Sequence, residues 1–180
     1  MAVFSSTIYS GRDIQKISNF KTDAFDQKDF GCLGYMNDDK VMMFSRTFKK
    51  HTLQSVFSEK PITELPPVGI VYYYAGAKPD ILTMMAQNHR GIVIIGSGSG
   101  NYSQAWLNEI ETLGAQGIIF VRASRVNQGI VYESDVFDPH NVCIPSNTLS
   151  GQKARVLLML ALSVTQNTKE IKRIFQGNED

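Results

Sequence analysis

Residues 91–107 read GIVIIGSGSGNYSQAWL, and this stretch limits what the chain can fold into more than any other. Ile92, Val93, Ile94 and Ile95 form an unbroken β-branched run. Such a run suits a strand buried on both faces, the situation of a central strand in a parallel sheet. Gly96, Gly98 and Gly100 follow at alternate positions and permit a sharp turn with close backbone approach. Trp106, Leu107, Ile110 and Leu113 then recur at helical spacing. The order is strand, glycine turn, helix, and in open parallel sheets ligands bind at the carboxyl ends of strands. Asn101 and Ser103 stand where the helix opens, so each is either a cap or part of a ligand site. The glycines fit G-x-G-x-G and the next strand ends without an acidic residue, which argues against a dinucleotide site.

The 180 residues suffice for one ordinary domain, or for one domain plus a fragment. Lys+Arg number 18 against Asp+Glu 17, a formal net charge of +1, so nothing points to nucleic acid or an anionic membrane. Cys32 and Cys143 lack metal-ligand spacing, and the expectation is two free, buried thiols. His51, His89 and His140 are far apart and without triad or metal spacing; they read as surface residues, and neither a metal nor a cofactor is expected. The longest apolar run, 156–162, falls far short of a membrane span. No secretory signal is read in MAVFSSTIYS.

Residues 1–55 read as short strands around a long polar loop, with a hairpin formed by GCLGYM, a turn at 37–39 and KVMMF. Two or three short strands bury little surface alone. Pro61, Pro66 and Pro67 make 56–67 an extended connector. Regular alternation begins at Val68: a strand over 68–74, a helix after Pro79, the central strand and helix, a strand over 117–121, a long loop over 122–140, and a short strand at 142–144. A helix over 152–163 capped by Ser150 follows, then a last helix with Asn167 and Glu170 at capping-box spacing. Strands alternating with helices predict an α/β fold, a Rossmann-like parallel sheet with flanking helices. Tyr72, Tyr73 and Tyr74 read as strand packing, and Arg122 and Arg125 as ion-pairing residues that fix the following loop.

The motifs taken together resemble the C-terminal portion of the bacterial-type (type II) L-asparaginases. They are GRD at 11–13, GxLGY at 31–35, RTxxKHT at 46–52, ELPPVGIVYYYA at 64–75, GIVIIGSGSGN at 91–101, VRASRVxxG at 121–129, NTLS at 147–150 and QKARVLLMLAL at 152–162. The resemblance implies that 1–55 is a fragment of the family's N-terminal α/β domain, 56–67 a linker and 68–180 the C-terminal domain. It implies an amidohydrolase taking L-asparagine, and in some members glutamine, to the acid and ammonia. The family's nucleophilic threonine sits in a TGGTIAG-type turn, with a second threonine and an aspartate in a TDT-type turn and a lysine on a helix. This sequence contains neither TGGT nor TDT. No catalytic residue is therefore assigned in this chain, and the chain alone is expected to be inactive.

What the resemblance does assign here is substrate binding. In the family the C-terminal domain sends an Asn (or Ser) and an acidic residue across a homo-oligomeric interface to hold the substrate's α-amino group in the partner subunit's pocket. By motif position the first is Asn101. Counting back from NTLS the second is Asp135; counting forward from VRASRV the loop is one residue short, and Glu133 competes. Members of the family include exported and cytoplasmic enzymes, so the resemblance fixes no compartment. The residues alone leave two alternatives: a non-catalytic α/β interaction module, and a small-ligand binder using the turn 96–101.

Overall fold

The computed structural model describes residues 1–27, 29–59 and 61–177. Residues 28, 60 and 178–180, which fall in the expected loop, connector and chain end, lie outside them. The chain divides into two compact units, Met1–Lys49 and Lys50–Asp180.

The first unit carries strands β1 (Ala2–Phe4), β2 (Thr7–Tyr9), β3 (Gln15–Lys16), β4 (Phe25–Asp26), β5 (Gly34–Asn37) and β6 (Lys40–Met43). Four of them form an antiparallel sheet in the order β1-β2-β5-β6, and β3 pairs with β4 separately. The expected hairpin is present: β5 and β6 pair with Asn37 opposite Lys40, and Asp38 turns the chain at φ 53°. Aspartate tolerates that conformation better than most side chains. Ile8, Tyr9 and Ala24 supply the buried apolar residues of this unit. Gln27 is buried beside them and donates from Nε2 to the Phe30 carbonyl at 3.0 Å.

The second unit contains β7 (Val68–Tyr72), α1 (Asp80–Ala86), β8 (Gly91–Gly96), α2 (Gln104–Ala115), β9 (Ile119–Ser124), β10 (Cys143–Pro145), α3 (Gly151–Val164) and α4 (Thr168–Gln176). Its four strands form a parallel sheet in the order β10-β9-β8-β7. The β-branched run sits at its centre, and every residue of β8 is buried. Val93 and Ile95 face one core with Ala154, Leu158, Ala161, Ile171 and Phe175 of α3 and α4. Ile92 and Ile94 face a second core with Leu82 of α1 and Trp106, Leu107, Ile110 and Leu113 of α2. A strand covered on both faces needs apolar residues at every position, which is why the run does not alternate.

The helix ends follow cap chemistry. Ser150 Oγ accepts from the Lys153 N–H at 3.4 Å, as expected. Asn167 Oδ1 accepts from Lys169 N–H at 2.9 Å and Glu170 N–H at 3.4 Å. The capping box is nonetheless incomplete, because the Glu170 carboxylate takes the Thr165 hydroxyl and Asn167 N–H turns to Thr165 Oγ1 at 3.1 Å. Helix α2 runs through Gly114 to Ala115, and the chain leaves it by Gly117 at φ 95°. Val56 and Phe57, read as connector, form a 3₁₀ turn and pack against the core. No described helix is long and apolar enough to cross a membrane.

Candidate functional site at the carboxyl edge of the sheet

The glycine turn leaves the carboxyl end of β8 and folds back on itself. Asn101 N–H donates to the Ser97 carbonyl at 2.7 Å, and Ser97 N–H donates to the Asn101 carbonyl at 3.0 Å. This closure brings the turn onto its own base. A Cβ at Gly96 would lie 2.4 Å from the Gly100 carbonyl carbon and 2.7 Å from Asn101 N. Gly100 has φ +89°, and a Cβ there would meet Arg122 Cγ at 3.0 Å and the Ala123 carbonyl at 3.1 Å. The two glycines thus serve close approach and left-handed backbone respectively.

Two side chains of β9 hold the turn. Ser124 Oγ donates to the Gly98 carbonyl, and Arg122 Nη1 donates to the Ser99 carbonyl at 2.9 Å. Arg122 is fully buried, and its Nη2 donates to the Tyr132 carbonyl. One guanidinium therefore ties the turn bearing Asn101 to the loop bearing Glu133 and Asp135. This corrects the reading of Arg122 and Arg125 as ion-pairing residues. Neither makes an ion pair among the described residues; Arg122 uses its planar fork on two backbone carbonyls, and the Arg125 N–H donates to the Gly96 carbonyl at 3.0 Å.

Asn101 is half-buried, and its Oδ1 is shut off from solvent with no hydrogen-bond partner among the described residues. An acceptor left so carries a penalty of about 1–3 kcal/mol, which a donor on a ligand would relieve. Ser103 stands at the N-cap of α2 with extended backbone, yet its side chain makes no cap bond. Asp135 is exposed in the turn 135–137. Glu133 Oε1 accepts from Lys172 Nζ of α4 at 2.7 Å.

The sequence reading passed over Asp138. Its carboxylate is buried and accepts from the Val142 and Cys143 N–H groups, each at 2.8 Å, returning the loop to β10. Burial pushes its pKa above the usual carboxylate range, while the two backbone bonds and Arg122 pull it back. The available signal was the pair Asp138-Pro139, since aspartate side chains commonly organise the turn that follows them. Cys143 is buried as expected and its thiol is pushed up to about 12, chiefly by desolvation, so it stays protonated. Cys32 is also free but only half-buried, which corrects the expectation for that thiol. The histidines lie apart: His140 Nδ1 pairs with Glu111 at 2.7 Å, His89 Nδ1 lies 2.8 Å from the Met85 carbonyl, and His51 is exposed. Of the three tyrosines, Tyr73 packs edge-on to Trp106 with centroids 5.2 Å apart, while Tyr72 and Tyr74 are exposed.

Residues 67–175 match the family described as glutaminase/asparaginase C-terminal domain. The chain belongs to that family. It is 33% identical over 178 residues to a probable periplasmic L-asparaginase of Haemophilus influenzae, covering 98% of this chain and 51% of that protein. It is 34% identical over 177 residues to L-asparaginase 2 of Escherichia coli, covering 97% of this chain and 51% of that one. The crystal structure of a probable cytoplasmic L-asparaginase from Campylobacter jejuni superposes with a TM-score of 0.86 at 35% identity, over 96% of this chain and 57% of that chain. The chain thus spans about half the length of the curated relatives it matches. Membership and the α/β parallel-sheet fold agree with the resemblance drawn from the motifs.

Proposed function

We propose that this chain is the C-terminal portion of an asparaginase-type amidohydrolase, converting L-asparagine and water to L-aspartate and ammonia. Its part in that reaction is to hold the substrate's α-ammonium group. The observation that carries the reading is the orphaned Asn101 Oδ1 at the carboxyl end of the central strand, an acceptor without a donor where a cationic group would supply one. Asp135 adds a formal charge from the adjoining loop. Glu133 is the weaker candidate because Lys172 already occupies it. Residues 68–180 act as the family's C-terminal domain, 1–55 as a remnant of its N-terminal domain and 56–67 as the linker. The assembly is a homo-oligomer through the C-terminal domain, which places Asn101 and Asp135 in a neighbouring subunit's pocket. Glutamine is the second substrate to try, since a relative from Pseudomonas fluorescens, 34% identical, is named a glutaminase-asparaginase.

The bond-breaking step is acyl transfer. A hydroxyl attacks the side-chain amide carbon, ammonia leaves with a proton, and water then releases aspartate from the ester. A threonine hydroxyl does this only beside a base and oxyanion donors. The sequence holds none of the threonine turns that supply them in the family. The purified chain should therefore release no ammonia from L-asparagine, and activity should appear when a segment bearing the TGGT and TDT turns is added. Steady ammonia release by the chain alone would overturn this division of labour.

A further inference from the structure

The proposed ammonium subsite draws on two segments that are distant in sequence. Asn101 ends the glycine turn after β8, and Asp135 stands exposed in the loop between β9 and β10. That loop is anchored at Val131, Tyr132 and Asp138. Val131 N–H donates to the Asn147 carbonyl at 3.0 Å, and the Asp138 carboxylate accepts from the Val142 and Cys143 N–H groups. Both of these bonds lead to β10 and the residues around it. The Tyr132 anchor differs. Its carbonyl accepts from Arg122 Nη2, while Nη1 of the same guanidinium donates to the Ser99 carbonyl at 2.9 Å, two residues before Asn101. The turn also closes down on the stem of this side chain, since a Cβ on Gly100 would meet Arg122 Cγ at 3.0 Å.

Arg122 is 2% exposed and makes no ion pair among the described residues. A methionine or leucine would fill the same space without desolvating a charge. What the guanidinium adds is two donors in fixed relation, one for each segment. We infer that Arg122 is a positioning residue for this subsite: it holds the turn 96–101 and the loop 130–137 as one body, so that Asn101 and Asp135 meet the substrate's ammonium at a fixed spacing. The inference rests on the assignment of Asn101 and Asp135 to that ammonium. It also gives the two loop carboxylates different parts. With Tyr132 pinned by Arg122 and Glu133 paired to Lys172 at 2.7 Å, Asp135 follows three residues beyond the anchor with its side chain exposed.

Hydrogen exchange on the full chain tests the coupling apart from any amide chemistry. Arg122→Lys keeps the charge, but a lysine ammonium lacks the planar fork that spans both carbonyls. The variant should speed exchange of the Asn101 and Val131 N–H groups together, each about tenfold, with β8 still protected. Acceleration at one of the two without the other would overturn the inference, as would no change at either or equal acceleration throughout β8. Kinetics then separate positioning from loss of folded protein, in an assembly completed by a segment bearing the family's threonine turns. A displaced subsite raises KM for L-asparagine with kcat unchanged, whereas a smaller folded fraction lowers kcat at constant KM. Arg122→Lys should raise KM about tenfold, and Asn101→Ala combined with it should give less than the product of the two single effects. A lower kcat at unaltered KM would overturn the inference. If Asn101→Ala raises KM and Arg122→Lys does not, Arg122 positions nothing and the ammonium assignment stands. If neither variant alters KM, that assignment fails and the inference falls with it.

Discussion

Gly96→Ala should destabilise the second unit by about 3 kcal/mol, the upper end of what overpacking costs. The added methyl carbon would sit 2.4 Å and 2.6 Å from the Gly100 carbonyl carbon and oxygen, and 2.7 Å from Asn101 N. All three are backbone atoms of a closed turn, so no side chain can swing aside to make room. The turn must open, which breaks the Ser97–Asn101 pairing and moves Asn101. Urea unfolding should show a lower midpoint at unchanged slope, and hydrogen exchange should show lost protection at residues 97–101 before any loss in β8. An unfolding free energy within about 0.5 kcal/mol of the parent would mean that the turn yields easily and does not fix Asn101.

Trp106→Ala is expected to cost about 4 kcal/mol, within the usual span for removing a fully buried large aromatic. Trp106 has no exposed surface, packs edge-on to Tyr73, and donates from its indole nitrogen to the Ala77 carbonyl at 2.9 Å. It thereby ties the start of α2, directly after the glycine turn, to the segment leaving β7. Trp106→Phe keeps most of the apolar volume and loses that bond, so it should cost about 1–2 kcal/mol. Circular dichroism at increasing urea measures both, since the chain has no other tryptophan to report by fluorescence. Equal losses for the two variants would show that the hydrogen bond, and not the packing, holds α2 in place.

The parts of the fold that the sequence revealed were those set by local rules. Ile92 to Ile95 announced a strand buried on both faces, and the helical spacing from Trp106 to Leu113 announced the amphipathic helix behind it. Ser150 and Asn167 marked the starts of α3 and α4 because an N-cap depends on the next three residues alone. β3 and β4 were missed because two residues apiece are too few to show alternation. Arg122 was misread for a different reason. A charge at a strand end normally seeks a carboxylate in solvent, and only the tertiary fold reveals that this one is buried against two carbonyls. Asp138 was passed over because its partners, Val142 and Cys143, are backbone groups with no sequence signature. Asn101 was singled out by its motif position, but that its carboxamide oxygen lacks a partner is a property of packing alone.

The central claim is that the carboxyl edge of this sheet holds the α-ammonium of an amide substrate through Asn101 and Asp135. The most direct measurement is the KM for L-asparagine of Asn101→Ala, in an assembly completed by a segment bearing the family's threonine turns. Losing one charge-assisted hydrogen bond, worth roughly 1.5–3 kcal/mol, should raise KM about tenfold to a hundredfold. Asp135→Ala should do the same, with a larger effect at low salt, and Glu133→Ala should change KM little. A KM unaltered by Asn101→Ala, or raised by Glu133→Ala and not by Asp135→Ala, would contradict the account.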